Sequence, residues 1–411
     1  MAGATMFISI LAAIGAALLS LPVAVFVFEI IFAAMFRAEK RSALPDAAIS
    51  IAVVVPAHNE SSNVVPTLMD LKKQLKSTDR LIVVADNCSD DTATVAIEAG
   101  AEVLRRDDPS KVGKGYALDW AIRALHNNPP EVVIFVDADC RVADHTVDEL
   151  AATCIGTARP AQGLNLMTAS PNSKINYQVA EFAWLVRNFV RPAGLHSLGL
   201  PCQLMGTGMA FPWNVIRPAA LASGEIVEDL KLGLDLALAG FPARFCPSAC
   251  VTSTFPLSAE ASASQRERWE KGIIRTIVSS APSLLLRAVE RRNLDLLVLT
   301  LDLTVPPLSL LSLLLIGCLV IAALVVVAGG SSVALSLSIM NAIGFGFAIV
   351  LSWIRFGKNV LPARSLTAVA FFVLRKLPLY HRIFTGKPTA KWIRTDRDAE
   401  PSSPPRNSGQ D

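Results

Sequence analysis

Three long runs of uncharged, apolar residues limit what this chain can fold into more than any other feature of its sequence. They cover residues 6–28, 308–328 and 333–354. Each is close to the roughly 20 residues with which a helix crosses a bilayer. Hydrophobic residues also make up 52% of the 411 residues, with a mean hydropathy of +0.45, which is high for a soluble protein. We therefore predict three membrane-spanning helices.

Basic residues follow the first and the third of these runs. They are Arg37, Lys40 and Arg41 after the first run, and Arg355, Lys358 and Arg364 after the third. Lys and Arg are enriched on the cytoplasmic side of membrane proteins. A cleaved signal peptide would carry its positive charge before the first run instead. The pattern predicts a retained anchor in a multi-pass protein of the inner (plasma) membrane, with both long connections in the cytoplasm.

Two further segments are ambiguous. Residues 294–305 form either an interfacial helix or an extension of the second span, with Asp302 expected at the water interface. Residues 366–384 mix aromatic and basic residues around Pro378, which favours an amphipathic segment in the membrane plane over a fourth span. Residues 395–411 have the composition of a disordered tail.

These patterns divide the chain into four regions. They are an N-terminal transmembrane anchor (1–41), a globular domain (42–290), an interfacial segment with two transmembrane helices (291–360), and an amphipathic segment with the tail (361–411). The globular domain alternates strand-like segments (50–56, 81–85, 101–105, 132–136) with helix-like segments (63–76, 92–99, 114–126). This alternation predicts an α/β, Rossmann-like fold around a mostly parallel sheet.

Polar groups follow three of the predicted strands. They are Pro56-Ala57-His58-Asn59-Glu60, Asp86, and the pair Asp137 and Asp139. The carboxyl ends of parallel strands meet at one edge of a sheet, where α/β proteins bind ligands. Each group alone is also what an ordinary turn carries. Together, three such groups at one edge indicate a ligand crevice.

Asp137 and Asp139 suit a Mg²⁺ or Mn²⁺ site. Two close carboxylates repel each other unless a cation lies between them. These metals prefer one or two carboxylates together with phosphate oxygens and water, which fits a diphosphate ligand. Lys114, between Gly113 and Gly115, would add positive charge near phosphate, although a solvated Lys at the start of a helix also explains it.

Three later segments each have a functional and a structural interpretation. Glu228-Asp229 could take a proton from a hydroxyl, and acids also suit the start of a helix. Gln265, Arg268 and Trp269 share one helix face that could bind phosphate and a sugar ring, or could belong to a charged surface helix. The aromatic-rich residues 177–189 either contact an acceptor or the membrane, or pack in the core.

Composition argues against several other classes of protein. The net charge is only +3 and no long basic stripe is present, so we expect no nucleic-acid partner. The seven scattered cysteines fit reduced thiols rather than a disulfide framework. Cys246 and Cys250 lack the partners of a structural zinc site.

In this order along the chain, the motifs resemble those of family 2 glycosyltransferases. The motifs are Pro56-Ala57-His58-Asn59-Glu60, Asp86, Gly113-Lys114-Gly115, Asp137-Ala138-Asp139, Glu228-Asp229 and Gln265-Arg266-Glu267-Arg268-Trp269. In style they resemble the membrane-bound branch that includes cellulose, hyaluronan and poly-N-acetylglucosamine synthases. The resemblance covers residues 50–290 and the flanking spans, and it implies a GT-A fold and an inverting single displacement. Two departures are Val227, where the family usually has Thr, and a smaller number of spans than polymer-secreting synthases often use.

The resemblance implies a nucleotide-sugar donor, with a UDP-sugar preferred. The implied donor-binding residues are Pro56, His58, Asn59, Glu60, Asp86, Lys114, Asp137, Gln265 and Arg268. The first motif and Asp86 would hold the base and ribose, and Gln265 and Arg268 would clamp the diphosphate. Asp139, with Asp137, would bind Mg²⁺ or Mn²⁺.

On the acceptor side, the resemblance makes Asp229 the general base, supported by Glu228. Trp269 would form the floor of the acceptor site, and Gly206 lies in a loop that resembles the family's acceptor-side loop less closely. The implied function is transfer of a sugar to a lipid-linked or growing polysaccharide acceptor at the cytoplasmic membrane face, in exopolysaccharide or cell-envelope glycan synthesis. Polysaccharide-assembly proteins are candidate partners.

Two alternative functions stay open at this point. A nucleotidyltransferase can use a similar sheet, but its first loop is usually Gly-rich and basic, unlike Pro56-Ala57-His58-Asn59-Glu60. A non-catalytic subunit of a polysaccharide-assembly complex would be expected to have lost catalytic positions, and all of them are filled here.

Overall fold

The computed structural model describes residues 2–37, 49–169, 175–256 and 259–386. Lys40, Arg41 and the predicted tail at residues 395–411 lie outside the described residues. The described residues form an α/β domain and a group of long helices that pack against it.

One mixed sheet organises the α/β domain. Its strands are β1 (Ile51–Ala57), β2 (Arg80–Asp86), β3 (Glu102–Arg106), β4 (Val132–Phe135), β5 (Arg141–Val142), β6 (Ala161–Thr168), β7 (Met209–Pro212) and β8 (Arg244–Thr254). Their order in the sheet is β3-β2-β1-β4-β7-β6-β8-β5. The first four in this order are parallel, as predicted, whereas β7 is antiparallel to both β4 and β6.

Helices cover both faces of the sheet and continue into the long C-terminal part of the chain. They are α1 (Ala2–Ala33), α2 (Val64–Lys72), α3 (Thr92–Glu98), α4 (Lys114–Leu125), α5 (Thr146–Thr157), α6 (Ile175–Leu185), α7 (Arg191–Ser197), α8 (Trp213–Ile216), α9 (Glu228–Leu238), α10 (Ala259–Glu290), α11 (Leu294–Leu303), α12 (Leu308–Val327), α13 (Val333–Ser352), α14 (Thr367–Leu374) and α15 (Leu377–Thr385). A π-helical turn, Val186–Val190, joins α6 to α7.

Strand β1 lies in the centre of the domain and is buried on both faces. Val53 and Val55 pack with Leu68 of α2 in one core, and Val54 packs with Leu118 of α4 in the core on the opposite face. Successive side chains of a strand point to opposite faces, so a strand covered on both sides needs an unbroken apolar run. This is why residues 50–56 lack polar alternation.

Among the described residues, four helices are long and apolar enough to cross a membrane. They span Ala4–Ala33, Ser264–Glu290, Leu308–Val327 and Val333–Gly357. Three of them correspond to the predicted spans, and the fourth is most of α10. Helices α1, α12 and α13 pack together, with the side-chain amide of Asn341 donating to the carbonyl of Ala16 at 2.9 Å.

Residues 366–384 form two short helices rather than one long one. Helix α14 ends at Leu374, and α15 begins just before Pro378. This segment is tied to α10, because Lys376 pairs with Glu270 at 2.5 Å and Arg382 pairs with Glu267 at 3.0 Å. It therefore packs over the part of α10 that carries the Gln265-Arg266-Glu267-Arg268-Trp269 motif.

The prediction that Asp302 lies at the water interface was wrong. Its side chain is buried and accepts a hydrogen bond of 2.6 Å from Arg191. Arg191 also donates to the backbone carbonyl of Asp302 at 2.8 Å and to the carboxylate of Glu29 at 2.6 Å. These contacts join α1, α7 and α11. Gly194 permits the close approach of α7 to α1, because a Cβ there would lie 2.0 Å from the carbonyl oxygen of Glu29.

We predict that Arg191→Met destabilises the protein strongly. The change leaves the carboxylates of Glu29 and Asp302 buried without a cation, and breaking a buried ion pair in this way costs about 3–5 kcal/mol. The measurement is the melting temperature of the purified protein in detergent. Arg123→Met is the control, since Arg123 is 70% exposed in its pair with Asp119.

Neutralising the whole cluster should recover much of this loss. The combined change Glu29→Gln, Arg191→Met and Asp302→Asn removes the buried charges together. A melting temperature for Arg191→Met equal to that of Arg123→Met would contradict the structural role of the cluster.

Candidate active site

A large cleft opens at the carboxyl ends of β1, β2 and β4, where the sequence predicted a ligand crevice. Its volume is about 1390 Å³. A site for one small ligand usually has a volume of roughly 300–1,000 Å³, so this cleft has room for more than one substrate. All the predicted site residues except Asn59 line it.

His58 and Asp86 lie together at the ends of β1 and β2. The Nδ1 atom of His58 is 2.7 Å from the backbone carbonyl oxygen of Asp86. The Asp86 carboxylate forms a buried ion pair with Arg106, a residue that the sequence motifs did not include. Burial raises the pKa of Asp86, and the guanidinium of Arg106 opposes that shift. At this end of the cleft, the Asp86 carboxylate is therefore held in place by the buried guanidinium of Arg106.

Asn59 has a different position from its neighbours in the first motif. It adopts a left-handed backbone conformation with φ of 54°. Its side-chain oxygen accepts hydrogen bonds from the backbone N–H groups of Ser89 at 2.7 Å and Asp90 at 3.3 Å. The geometry thus assigns Asn59 to holding the loop after β2, while Pro56, His58 and Glu60 line the cleft.

Lys114 lies at the start of α4 and reaches into the centre of the cleft. Its Nζ donates to the backbone carbonyl of Gly206 at 2.6 Å and forms an ion pair with Asp137. Burial lowers the pKa of Lys114, but the nearby carboxylates raise it by more, so that the net pKa lies above the ordinary value. Gly115 is required for close packing here, because a Cβ would lie 2.5 Å from the carbonyl oxygen of Leu221.

Asp137 and Asp139 follow β4, and both line the cleft. The backbone N–H of Asp137 donates to the hydroxyl of the buried Thr207 at 3.0 Å, which fixes the strand exit. Among the described residues, no group of three His, Cys, Asp or Glu side chains could hold a metal by itself. A cation at this pair would therefore need additional oxygen ligands from a substrate or from water.

Glu228 and Asp229 form the first turn of α9 and face the same part of the cleft. Burial raises the pKa of Glu228 to about 7, with Lys114 opposing the shift and Asp229 adding to it. Burial also raises the pKa of Asp229, against the positive charges of Lys114 and Arg187. Val227 provides no side-chain hydrogen bond at the start of this helix, as its replacement of Thr suggested.

Gly206 lies directly beside the Asp229 carboxylate. A Cβ at Gly206 would be 3.3 Å from Oδ2 of Asp229, and the glycine has φ of +90°, which side chains rarely permit. Gly206 also accepts the hydrogen bond from Lys114 through its carbonyl. The loop and the acidic helix start are therefore packed against one another at the centre of the cleft.

Gln265, Arg268 and Trp269 lie on α10 and line the cleft together, in agreement with their predicted common face. The ring of Trp269 is 5.3 Å from that of Trp184, centroid to centroid. The sequence left open whether the aromatic residues 177–189 face a ligand, and the structure divides them. Trp184 and Arg187 line the cleft, whereas Phe182 is buried in the core.

The pKa of Glu228 leads to a prediction about stability. The folded chain holds this proton more tightly than the unfolded chain, so the contribution of Glu228 to stability is lost as the pH rises through about 7. Between roughly pH 5 and 8, the melting temperature of the wild type should therefore fall more steeply than that of Glu228→Gln. Glu131→Gln, outside the cleft, is the control. Parallel curves for wild type and Glu228→Gln would contradict the raised pKa.

Comparison with known proteins finds relatives that match part of this chain. The chain is similar to the 4,4'-diaponeurosporenoate glycosyltransferase of Staphylococcus haemolyticus, with 26% identity over 198 residues that cover 45% of this chain and 50% of the relative. It is also similar to the glucosyl-3-phosphoglycerate synthase of Mycobacterium tuberculosis, with 34% identity over 96 residues that cover 22% of this chain and 29% of the relative. The chain thus spans half or less of the length of these curated relatives.

Structural and family comparisons cover more of the chain. The mannosyltransferase PcManGT from Pyrobaculum calidifontis, solved in complex with GDP-Man and Mn²⁺, has a TM-score of 0.53 and 16% identity, with coverage of 92% of this chain and 100% of that one. This likeness concerns the fold, and it confirms the predicted GT-A architecture. The family model described as "Glycosyltransferase like family 2" matches residues 47–272, which is more than half of the 411 residues. The chain belongs to this family of glycosyltransferases.

Proposed function

We propose that this protein is an inverting glycosyltransferase that moves a sugar from a nucleotide diphosphate-sugar to an acceptor hydroxyl at the cytoplasmic face of a membrane. The observation that carries the proposal is the convergence on one cleft of the strand-end carboxylates, Lys114, the Glu228-Asp229 pair and the α10 motif. The residues proposed for the donor and those proposed for the acceptor thus line the same cleft.

The donor would bind across the carboxyl ends of β1, β2 and β4. His58 and Asp86 present polar groups suited to a base and ribose, and Lys114 and Arg268 supply positive charge for the diphosphate. We favour a UDP-sugar as the donor because of the resemblance of the motifs, while the mannosyltransferase neighbour was solved with GDP-Man.

The carboxylates of Asp137 and Asp139 fit a divalent metal such as Mg²⁺ or Mn²⁺. The pair offers hard oxygen donors in the cleft but too few to complete a site alone, which is the pattern expected where the diphosphate supplies further ligands. When bound, such an ion neutralises charge on the diphosphate. The Mn²⁺ in the neighbouring mannosyltransferase structure supports this assignment.

Asp229 is suited to be the general base. The acceptor hydroxyl would donate to its carboxylate and lose the proton to it as the hydroxyl oxygen attacks the anomeric carbon. The bond from the anomeric carbon to the diphosphate oxygen breaks, and its electron pair leaves with the nucleoside diphosphate. Lys114 and Arg268 stabilise the negative charge that develops there. Attack from the opposite side inverts the configuration of the sugar.

The acceptor side of the cleft supports a membrane-held acceptor. Helix α10 lines the cleft along much of its length, and it is long and apolar enough to associate with a membrane. Because its residues Gln265 and Arg268 face the cleft, we propose that α10 lies along the membrane surface rather than across it. This position suits a lipid-linked or growing polysaccharide acceptor in exopolysaccharide or cell-envelope glycan synthesis, with assembly proteins as candidate partners.

The ends of the apolar helices support the cytoplasmic orientation. Arg355 donates to the carbonyl of Ala34 at 3.0 Å, so the ends of α1 and α13 lie together on one side. Arg37, Lys358 and Arg364 follow these same ends. Since basic residues favour the cytoplasmic side, the α/β domain that continues from α1 would lie in the cytoplasm of a plasma-membrane protein.

The test of the proposed function is donor-dependent release of nucleoside diphosphate. Membranes that contain the protein are incubated with a panel of nucleotide-sugars, with a membrane lipid extract, and with Mn²⁺ or a chelator. We expect metal-dependent release with at least one donor. Absence of release with every donor would overturn the proposal, and release of pyrophosphate instead would indicate a nucleotidyltransferase.

We predict that Asp229→Asn lowers the transfer rate by about 10²–10⁴-fold, because the amide cannot accept the acceptor proton. Donor binding, measured by fluorescence titration with the nucleotide-sugar and Mn²⁺, should be preserved. Asp119→Asn is the control, since Asp119 lies on α4 outside the cleft and pairs with Arg123. A transfer rate for Asp229→Asn near that of Asp119→Asn would exclude Asp229 as the base.

We also predict that Gly206→Ala lowers the transfer rate by about tenfold or more. The added methyl group meets the Asp229 carboxylate, and the backbone conformation disfavours a side chain by roughly 1–2 kcal/mol. Gly240→Ala is a matched control, because Gly240 has a similar φ of +93° but no atom within 4 Å of the place that an added Cβ would occupy. Equal losses in the two variants would show that backbone strain, and not the contact with Asp229, is responsible.

A further inference from the structure

Arg187 is a cation in the cleft that the proposed mechanism leaves without a role. It lies on the π-helical turn Val186–Val190, and its side chain is exposed to the interior of the cleft. It makes no hydrogen bond or ion pair with the residues that the structure describes. Arg191, one turn later, contrasts with it, because Arg191 is fully engaged with Glu29 and Asp302.

The sequence gives a physical reason for this placement. Pro192 lacks a backbone N–H, so it cannot donate to the turn that precedes it, and its ring disfavours regular α-helical geometry there. The turn widens into a π-helix instead, a distortion found frequently at functional sites. The wider turn leaves Arg187 facing the cleft while Arg191 reaches the buried carboxylates.

The charge of Arg187 is incompletely balanced. Its guanidinium forms no ion pair with a carboxylate of the described residues, and Arg191 repels it while Asp229, Asp302 and Glu270 attract it from a distance. An anion that entered the cleft beside Arg187 would supply the missing balance. The guanidinium suits this task, because it binds a phosphate or a carboxylate through two parallel hydrogen bonds.

The position of Arg187 points to the acceptor rather than the donor. Burial raises the pKa of Asp229, the proposed base, and the positive charge of Arg187 acts to lower it. The acceptor hydroxyl must lie next to Asp229 in the proposed reaction. Trp184, on the preceding turn, stacks near Trp269 of the proposed acceptor floor. Lys114 and Arg268 already supply the cations for the donor diphosphate. A volume of about 1390 Å³ leaves space for an acceptor with a substantial head group.

We propose that the acceptor carries an anionic group, a phosphate or a carboxylate, close to the hydroxyl that receives the sugar, and that Arg187 binds this group. The proposal rests on the proposed function, since it takes Asp229 as the base. It narrows the acceptor class to anionic lipid-linked or saccharide molecules. Neutral glycans and neutral lipid alcohols would be poor acceptors.

The experiment measures binding to the purified protein in detergent, with the donor site filled by nucleoside diphosphate and Mn²⁺. The signal is the fluorescence of the tryptophans, because Trp184 and Trp269 lie beside the site. The probes are a short-chain polyprenyl phosphate and glucuronic acid, with the polyprenyl alcohol and glucose as their neutral counterparts. The two anionic probes distinguish a phosphate from a carboxylate.

We expect saturable binding of at least one anionic probe and weaker binding of its neutral counterpart. Arg187→Gln should weaken the anionic probe by about 10- to 100-fold, as expected for loss of a hydrogen-bonded charge. Arg187→Lys should restore part of this affinity, because it keeps the charge but not the planar fork. Arg123→Gln, which removes an exposed charge outside the cleft, should leave it unchanged.

Two outcomes would overturn the proposal. One is the absence of saturable binding of either anionic probe to the wild type, and the other is equal affinity for Arg187→Gln and Arg123→Gln. Titration of the same purified proteins with the nucleotide-sugar and Mn²⁺, in the absence of nucleoside diphosphate, separates this failure from failure of the proposed function. Intact donor binding would confine the error to the acceptor, whereas loss of donor binding in the wild type would count against the proposed function itself.

Discussion

The buried contacts of Arg191 with Glu29 and Asp302 connect three parts of this protein that are far apart in the chain. Glu29 belongs to the first long apolar helix, Asp302 to the helix that follows α10, and Arg191 to the α/β domain. Charges removed from water are costly unless their partners are placed accurately. The cluster therefore favours one arrangement of the domain on the apolar helices. It also fixes the helix that continues from the π-turn bearing Arg187, so that one side of the cleft is connected to the long apolar helix α1.

Within the cleft, a second charge arrangement sets the chemistry. Lys114 lies among Asp137, Glu228 and Asp229, and these carboxylates outnumber the cation that they share. Burial, with a smaller contribution from the charge of Asp229, raises the pKa of Glu228 against the opposing charge of Lys114. The excess of carboxylates over this cation suits the binding of a divalent cation. A diphosphate with its bound metal would place a cation near the carboxylates and negatively charged oxygens near Lys114 and Arg268. The charges that line the cleft therefore suit a donor of that composition.

Sequence patterns were sufficient for the parallel half of the sheet and for the grouping of the motifs. Strands β1, β2 and β4 were predicted because they are apolar runs covered on both faces, as Val53, Val54 and Val55 illustrate. The edge strand β3, with exposed Glu102 and Arg105, was predicted within the alternation of strands and helices. Strands β5 to β8 were not predicted. Strand β5 has only two residues, and β6 contains buried polar residues such as Gln162 and Asn165. Their assignment depends on hydrogen-bond partners far away in the chain, which local alternation does not reveal.

The apolar helices, the order of the motifs and their position at strand ends could all be read from the amino-acid sequence, because they follow from hydrophobicity and periodicity over short stretches. Which polar groups meet depended on the three-dimensional arrangement. In that arrangement, Asn59 supports the loop after β2 instead of lining the cleft, and Asp302 is buried beside Arg191. Trp184 and Arg187 line the cleft, whereas their neighbour Phe182 is buried in the core. The physical reason is that the role of a polar side chain is set by its partners across the fold, and those partners are separated from it by tens to hundreds of residues.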